Sequence, residues 1–105
     1  MSAVSLRQQQ PAITALAELA RTCPDLPAAS LRTDQFKPGE VIVQLDSVAD
    51  FEAWREGLGL APDAVDLTTY RTAPGSGQME LRTTVTGVPV HVWVAMSQLP
   101  LGVAS

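Results

Sequence analysis

The chain has 105 residues, 46% hydrophobic and 17% charged, and eleven acidic against seven basic residues leave a net charge of −4. This is the composition of one globular domain with a self-sufficient core: two independent cores do not fit the length, and a disordered chain would be far more polar. Six arginines are scattered from Arg7 to Arg82 and Lys37 is the one lysine, so no basic stripe exists to displace the counterions of a nucleic acid.

The acids are equally dispersed, the pattern of a solvated surface rather than of a nucleic-acid mimic. Cys23 has no second cysteine to pair with and sits in a helical pattern, where it reads as a small buried apolar side chain. The first ten residues lack a long apolar stretch, and no run approaches the roughly 18 apolar residues that span a bilayer. The expectation is a cytoplasmic protein with no secretion signal and no membrane span.

In chain order, PAITALAELARTC (11–23) is rich in helix formers, and at helical spacing Ile13, Leu16, Ala17, Leu19, Ala20 and Cys23 share one stripe with Thr14, Glu18 and Arg21 opposite. Pro11 suits a first turn and Pro24 a stop, which leaves residues 1–10 as a polar, frayed start. Ala29, Leu31 and Thr33 alternate with polar residues as a short strand, Lys37, Pro38 and Gly39 read as a turn, and Val41, Ile42, Val43 and Leu45 as the second arm of a hairpin. Ser47 with Asp50 three residues later caps a helix that buries Phe51, Trp54 and Leu58 and runs toward Gly57 or Gly59, with Asp50, Glu52, Arg55 and Glu56 on a solvated face.

After Pro62 and Asp63, a strand alternates Val65, Leu67 and Thr69 with Asp66, Thr68 and Tyr70. Residues 73–77 turn the chain into two further strands, 79–85 and 88–96, joined by Thr86 and Gly87. A two-residue loop there sets Val85 against Val88, Thr83 against Val90, Leu81 against Val92 and Met79 against Val94, all on one side. Because Thr disfavours positive φ, a type I turn with a glycine bulge is the alternative, and Pro89, with no N–H to donate, predicts an open outer side. The fold expected is α+β, ordered α-β-β-α-β-β-β, with a largely antiparallel sheet and two helices on one face of a single domain, residues 97–105 forming an irregular tail.

Few chemistries fit these residues. One His, one Cys and no H-x-x-x-H or C-x-x-C spacing argue against a metal site or a resident cofactor. Gly75, Ser76 and Gly77 join two strands, whereas phosphate loops lead into a helix, and no G-x-S-x-G elbow accompanies His91. What stands out is the outward face of the last hairpin: Glu80, Arg82 and Thr84 beside Pro89, His91 and Trp93, with Tyr70 of the same parity. Trp, Tyr and Arg are the types enriched at interface hot spots, so Tyr70, Arg82, His91 and Trp93 form the candidate binding surface. The opposing reading covers Trp93 with the apolar tail from Leu99 to Val103, or bends it into the core.

The segments PDLPAASLRTD and EVIVQLDSVADFEAWREGLGL, followed by the Gly-containing valine hairpin, resemble a pattern in small uncharacterised proteins of high-GC actinobacteria and their mobile elements, over the span from Leu16 to Met96. The resemblance carries no catalytic or ligand motif and implies a short intracellular accessory protein. The function expected is a non-enzymatic module that docks a protein partner or a second copy through the outer sheet face. The competing expectation is a small-molecule binder or enzyme with a cleft between sheet and helix, using His91, Arg82 and Glu80.

Overall fold

The computed structural model describes residues 5–34, 36–69 and 76–96. The C-terminal hairpin sets its register. Strands β4 (Gly77–Val85) and β5 (Val88–Met96) pair antiparallel with Val85 opposite Val88, Leu81 opposite Val92 and Met79 opposite Val94. Thr86 and Gly87 form the two-residue loop with φ of 50° and 80°, and no bulge is needed. That left-handed pair matches the right-handed twist of the strands, Gly87 entering it freely and Thr86 despite its branched Cβ, with its hydroxyl donating to the Val85 carbonyl at 2.6 Å.

Upstream, β1 (Ser30–Asp34) and β2 (Lys37–Leu45) form the expected hairpin, and β3 (Asp66–Thr69) pairs antiparallel with β4. Lys37, Pro38 and Gly39 belong to β2 rather than to a turn; the register slips between Thr33 and Asp34, so that Pro38, Gly39 and Glu40 are extra residues bulged out of the ladder. The sheet order is β1-β2-β5-β4-β3, with β2 and β5 parallel from Val41 beside Val90 to Leu45 beside Val94. The sheet is thus mixed, antiparallel in three of its four pairings. The open side expected near Pro89 is confined to the residues before Val90, because β5 is an inner strand with a neighbour on each side.

Both helices lie on the face where the valines point. Helix α1 (Leu6–Thr22) packs over β2, and α2 (Val48–Gly57) over β5. Together Ala12, Ala15, Leu19, Phe51 and Trp54 close a core with Val41, Val43, Leu45, Leu81, Val90, Val92 and Val94. Two helices, each about 10 Å across, cover roughly four strands spaced by about 4.8 Å, so the far edge is left open. Leu67, inward by parity, is 59% exposed there.

The helices differ from the sequence reading at three further points. Helix α1 starts at Leu6, where Ser5 N–H donates to Gln8 Oε1 at 2.8 Å and Gln8 N–H to the Ser5 carbonyl at 3.0 Å, which carries Pro11 inside the second turn. Its buried line is Ala12, Ala15 and Leu19, with Ile13 45% exposed and Ala17 and Ala20 at the surface. Alanine at the contact lets the helix axis approach the valine floor, whereas Ile13 would hold it away. Arg55, placed on a solvated face by the sequence, is 8% exposed. Its fork donates to the Leu60 carbonyl at 2.7 Å and to Glu52 at 2.9 Å, which ties the end of α2 to the chain beyond it.

The segment between α1 and β1 is fixed by α2. Trp54 Nε1 donates to the Pro27 carbonyl at 2.8 Å, and Leu26 lies against Gly57 so closely that an added Cβ would stand 2.5 Å from Leu26 Cδ2. Ala15→Leu should overpack the helix–sheet contact and lower stability by about 1–3 kcal/mol, against about 0.5 kcal/mol or less for Ala17→Ser, both read from urea unfolding. Equal costs would contradict the helix face described.

Candidate interaction surface

The face of the sheet turned away from the helices carries the candidate residues. β parity puts Gln78, Glu80, Arg82 and Thr84 of β4, and Pro89, His91, Trp93 and Ala95 of β5, opposite the buried Leu81, Val90, Val92 and Val94. Glu80 stands across from Trp93 and Arg82 across from His91; on the other side of β5, Ile42 lies beside His91 and Gln44 beside Trp93. No described helix or strand covers this face.

Glu80 is the hub of its polar groups. His91 Nε2 donates to Glu80 Oε1 at 2.6 Å, with both side chains about one-fifth exposed, and Gln78 Nε2 reaches the other carboxylate oxygen at 3.4 Å. Arg82 lies 3.6 Å from Glu80 and 3.5 Å from Glu40 of β2, spanning β5 near Pro89, and Lys37 meets Glu40 at 4.0 Å. A line of alternating charge therefore crosses three strands. The hydrogen bond from His91 holds the Glu80 carboxyl below the usual carboxylate range; partial burial works against it, and the charges of His91 and Arg82 and the Gln78 amide add to it.

Trp93 is half-buried and lies next to this line rather than in it. The bend that would turn its ring into the core is not present, since Val92 and Val94 on either side are both fully buried on the opposite face. Of the four residues read from sequence, the fold thus brings Arg82, His91 and Trp93 to one face. Tyr70 lies outside the described residues, as does the tail from Leu99 to Val103. Sequence reasoning placed Glu80 on this face but did not find its bond to His91 or the contribution of Glu40, which needed the β2–β5 pairing.

The helix side of the sheet has its own cavity, about 210 Å³, between α1, the segment 23–29 and Trp54, lined by apolar groups including Leu16, Leu19, Leu26 and Leu31. His91, Arg82 and Glu80 are across the sheet from it, so the polar groups expected in a sheet–helix cleft do not converge there. Cys23 is likewise on the helix side, away from His91. Among the described residues, no three His, Cys, Asp or Glu side chains group as metal ligands, and no helix is long and apolar enough to cross a membrane. Comparison with family models, with curated proteins and with solved structures gives no match.

A carboxyl whose folded pKa lies below its unfolded value near 4.5 stabilises the fold above that value, and the contribution fades as pH falls through the lower folded value. Glu80→Gln should therefore cost about 1 kcal/mol at pH 7, as loss of one charge-assisted hydrogen bond at a partly exposed site. The gap from wild type should narrow as pH falls below the unfolded value and close only below the lower folded one. Thermal melts from neutral to acid pH check this, and an undiminished gap in acid would contradict it.

Proposed function

We propose that the chain is a non-enzymatic interaction module that docks a partner protein through the outer face of its sheet, with Trp93 as the anchor and Arg82 and His91 in the surrounding polar rim. The observation that carries this reading is the position of Trp93: a large aromatic of outward parity on an inner strand, flanked by strands on both sides. Interface hot spots have this organisation, an aromatic or arginine anchor inside a ring of polar groups that exclude water. The partner chemistry implied is an apolar recess for the indole, edged by groups that complement the alternating line from Lys37 to His91. A polar network already satisfied within the chain suits docking better than turnover, because its acceptor and donors are engaged with each other.

The same reading places the protein in the cytoplasm, where a single thiol is kept reduced, as an accessory protein of the kind its resemblance implies. The test uses the two tryptophans. Trp54 is buried in the core. Quenching of indole fluorescence by iodide should therefore find one accessible population in the wild type that Trp93→Phe removes, and Trp93→Ala should abolish capture of the partner without changing the circular dichroism. Equal quenching of wild type and Trp93→Phe, or partner capture undiminished in Trp93→Ala, would overturn the proposal.

A further inference from the structure

Among the described residues no strand pairs with the outer edge of β1, and the helix above it has more apolar surface than its own sheet covers. At 100° per residue, the apolar residues of α1 from Ala15 through Leu19, Ala12, Leu16, Ala20, Ile13 and Leu6 to Ala17 span about 200°, roughly twice what one contact face needs. One half, Ala12, Ala15 and Leu19, is buried; on the other, Leu6 is 71% and Ile13 45% exposed. The exposed half faces the β1 edge, because Gln9, between the two halves, donates to the Thr33 hydroxyl on β1. Beneath it Leu31, the inward residue at the middle of β1, is 46% exposed.

We infer that the chain forms a twofold homodimer in which β1 pairs antiparallel with β1 of a second copy, extending the sheet to ten strands, and the two α1 flanks close over an apolar trough floored by both Leu31 side chains. A twofold contact must be complementary to itself, and the edge meets that condition in one register. For both copies to keep their helices on the same face, the axis must pass through a residue of β1. The ladder is regular only from Ser30 to Thr33. An axis through Arg32 sets two guanidinium groups face to face, whereas an axis through Leu31 sets Leu31 on Leu31, Arg32 opposite Ser30 and Thr33 opposite Ala29.

The helix agrees with that choice. α1 runs antiparallel to β1, with Gln9 bonded at Thr33 and Leu16, Leu19 and Cys23 sharing a cavity with Ala29 and Leu31. Two strand residues from Thr33 to Leu31 cover about 7 Å, and at about 1.5 Å per residue that is four to five residues of helix. The axis therefore passes beside Ile13, the large exposed apolar group in the middle of α1.

Charge favours a second copy over a foreign partner. Residues 1–40 carry four basic and four acidic groups and are neutral, while residues 41–105 carry three basic and seven acidic groups and hold the whole net charge of −4. The neutral end of an acidic protein is where two copies meet with the least repulsion. A helix about 26 Å long and about 10 Å wide, with a five-residue strand edge, offers on the order of 500 Å² per copy, and about 1,000 Å² in total is the lower bound for a specific interface. The dimer should accordingly be concentration-dependent.

Sedimentation of the full chain from about 5 to about 200 µM tests this directly. The wild type should rise from the 11.1 kDa chain mass to twice that value. Leu31→Lys and Ile13→Glu should each weaken association at least tenfold, while Trp93→Ala leaves it unchanged. In a Cys23→Ser background, Leu31→Cys should cross-link between copies on mild oxidation, its Cβ facing its own mate at about 5 Å, whereas Thr33→Cys, about 13 Å from its mate, should not. The cross-linking arm reads the register whether or not the charged variants fold. A wild type of single mass throughout, association that survives both charged variants or is lost in Trp93→Ala, or equal cross-linking at residues 31 and 33 would each overturn the proposal.

Discussion

The structure depends on β5 being held on both sides. Its pairing with β4 is local and follows from a two-residue loop, while its parallel pairing with β2 brings together residues about fifty positions apart. Once both ladders are in place, the period of two is locked along the strand: Val88, Val90, Val92, Val94 and Met96 must enter the core, and His91 and Trp93 must leave it. A slip of one residue on either side would put five large apolar groups in water and an indole and an imidazole against Phe51. The cost of that exchange, about 1.5–3 kcal/mol for each aliphatic side chain, is what makes the outward face a defined surface rather than one of two alternatives.

Everything else is arranged around that strand. The helices cover the valine face where β1, β2 and β5 lie, and leave the outer face to a line of alternating charges anchored on Glu80. The chain divides electrostatically in the same direction: the neutral first forty residues build α1 and the β1 edge, and the acidic remainder builds α2 and the far side of the sheet. Two surfaces result with different chemistry. One is polar and carries Trp93; the other is an apolar flank beside the β1 edge, on which no described strand pairs.

What the sequence could reveal follows the range of the interactions. The β4–β5 register, the Ser47 cap on α2 and the outward parity of Trp93 are set by neighbours a few residues apart, and all were legible. The order of strands was not, because nothing in VIVQL or VPVHVWV says which edge meets which; only the burial of both sides of β5 decides it. The buried face of α1 is ambiguous in the sequence for a related reason. Its apolar arc is wide enough for two orientations, and the small size of Ala12 and Ala15, rather than hydrophobicity, selects the one that lets the helix sit close to β2. In sequence Arg55 looks solvated because Glu52 three residues earlier makes an ordinary surface pair; its second partner, the Leu60 carbonyl, lies beyond the helix end. At the candidate site, the residue types were visible, but the link from Arg82 to Glu40 needed the long-range pairing.

Amide hydrogen exchange along β5 tests the central claim most directly. A strand with partners on both sides engages every N–H, whereas an edge strand leaves every second one to water. The fold described predicts that the amides of His91, Val92, Trp93 and Val94 are all slow, with protection close to that of global unfolding. Alternate fast and slow amides along the same residues would show β5 to be an edge, and would contradict the parallel pairing with β2.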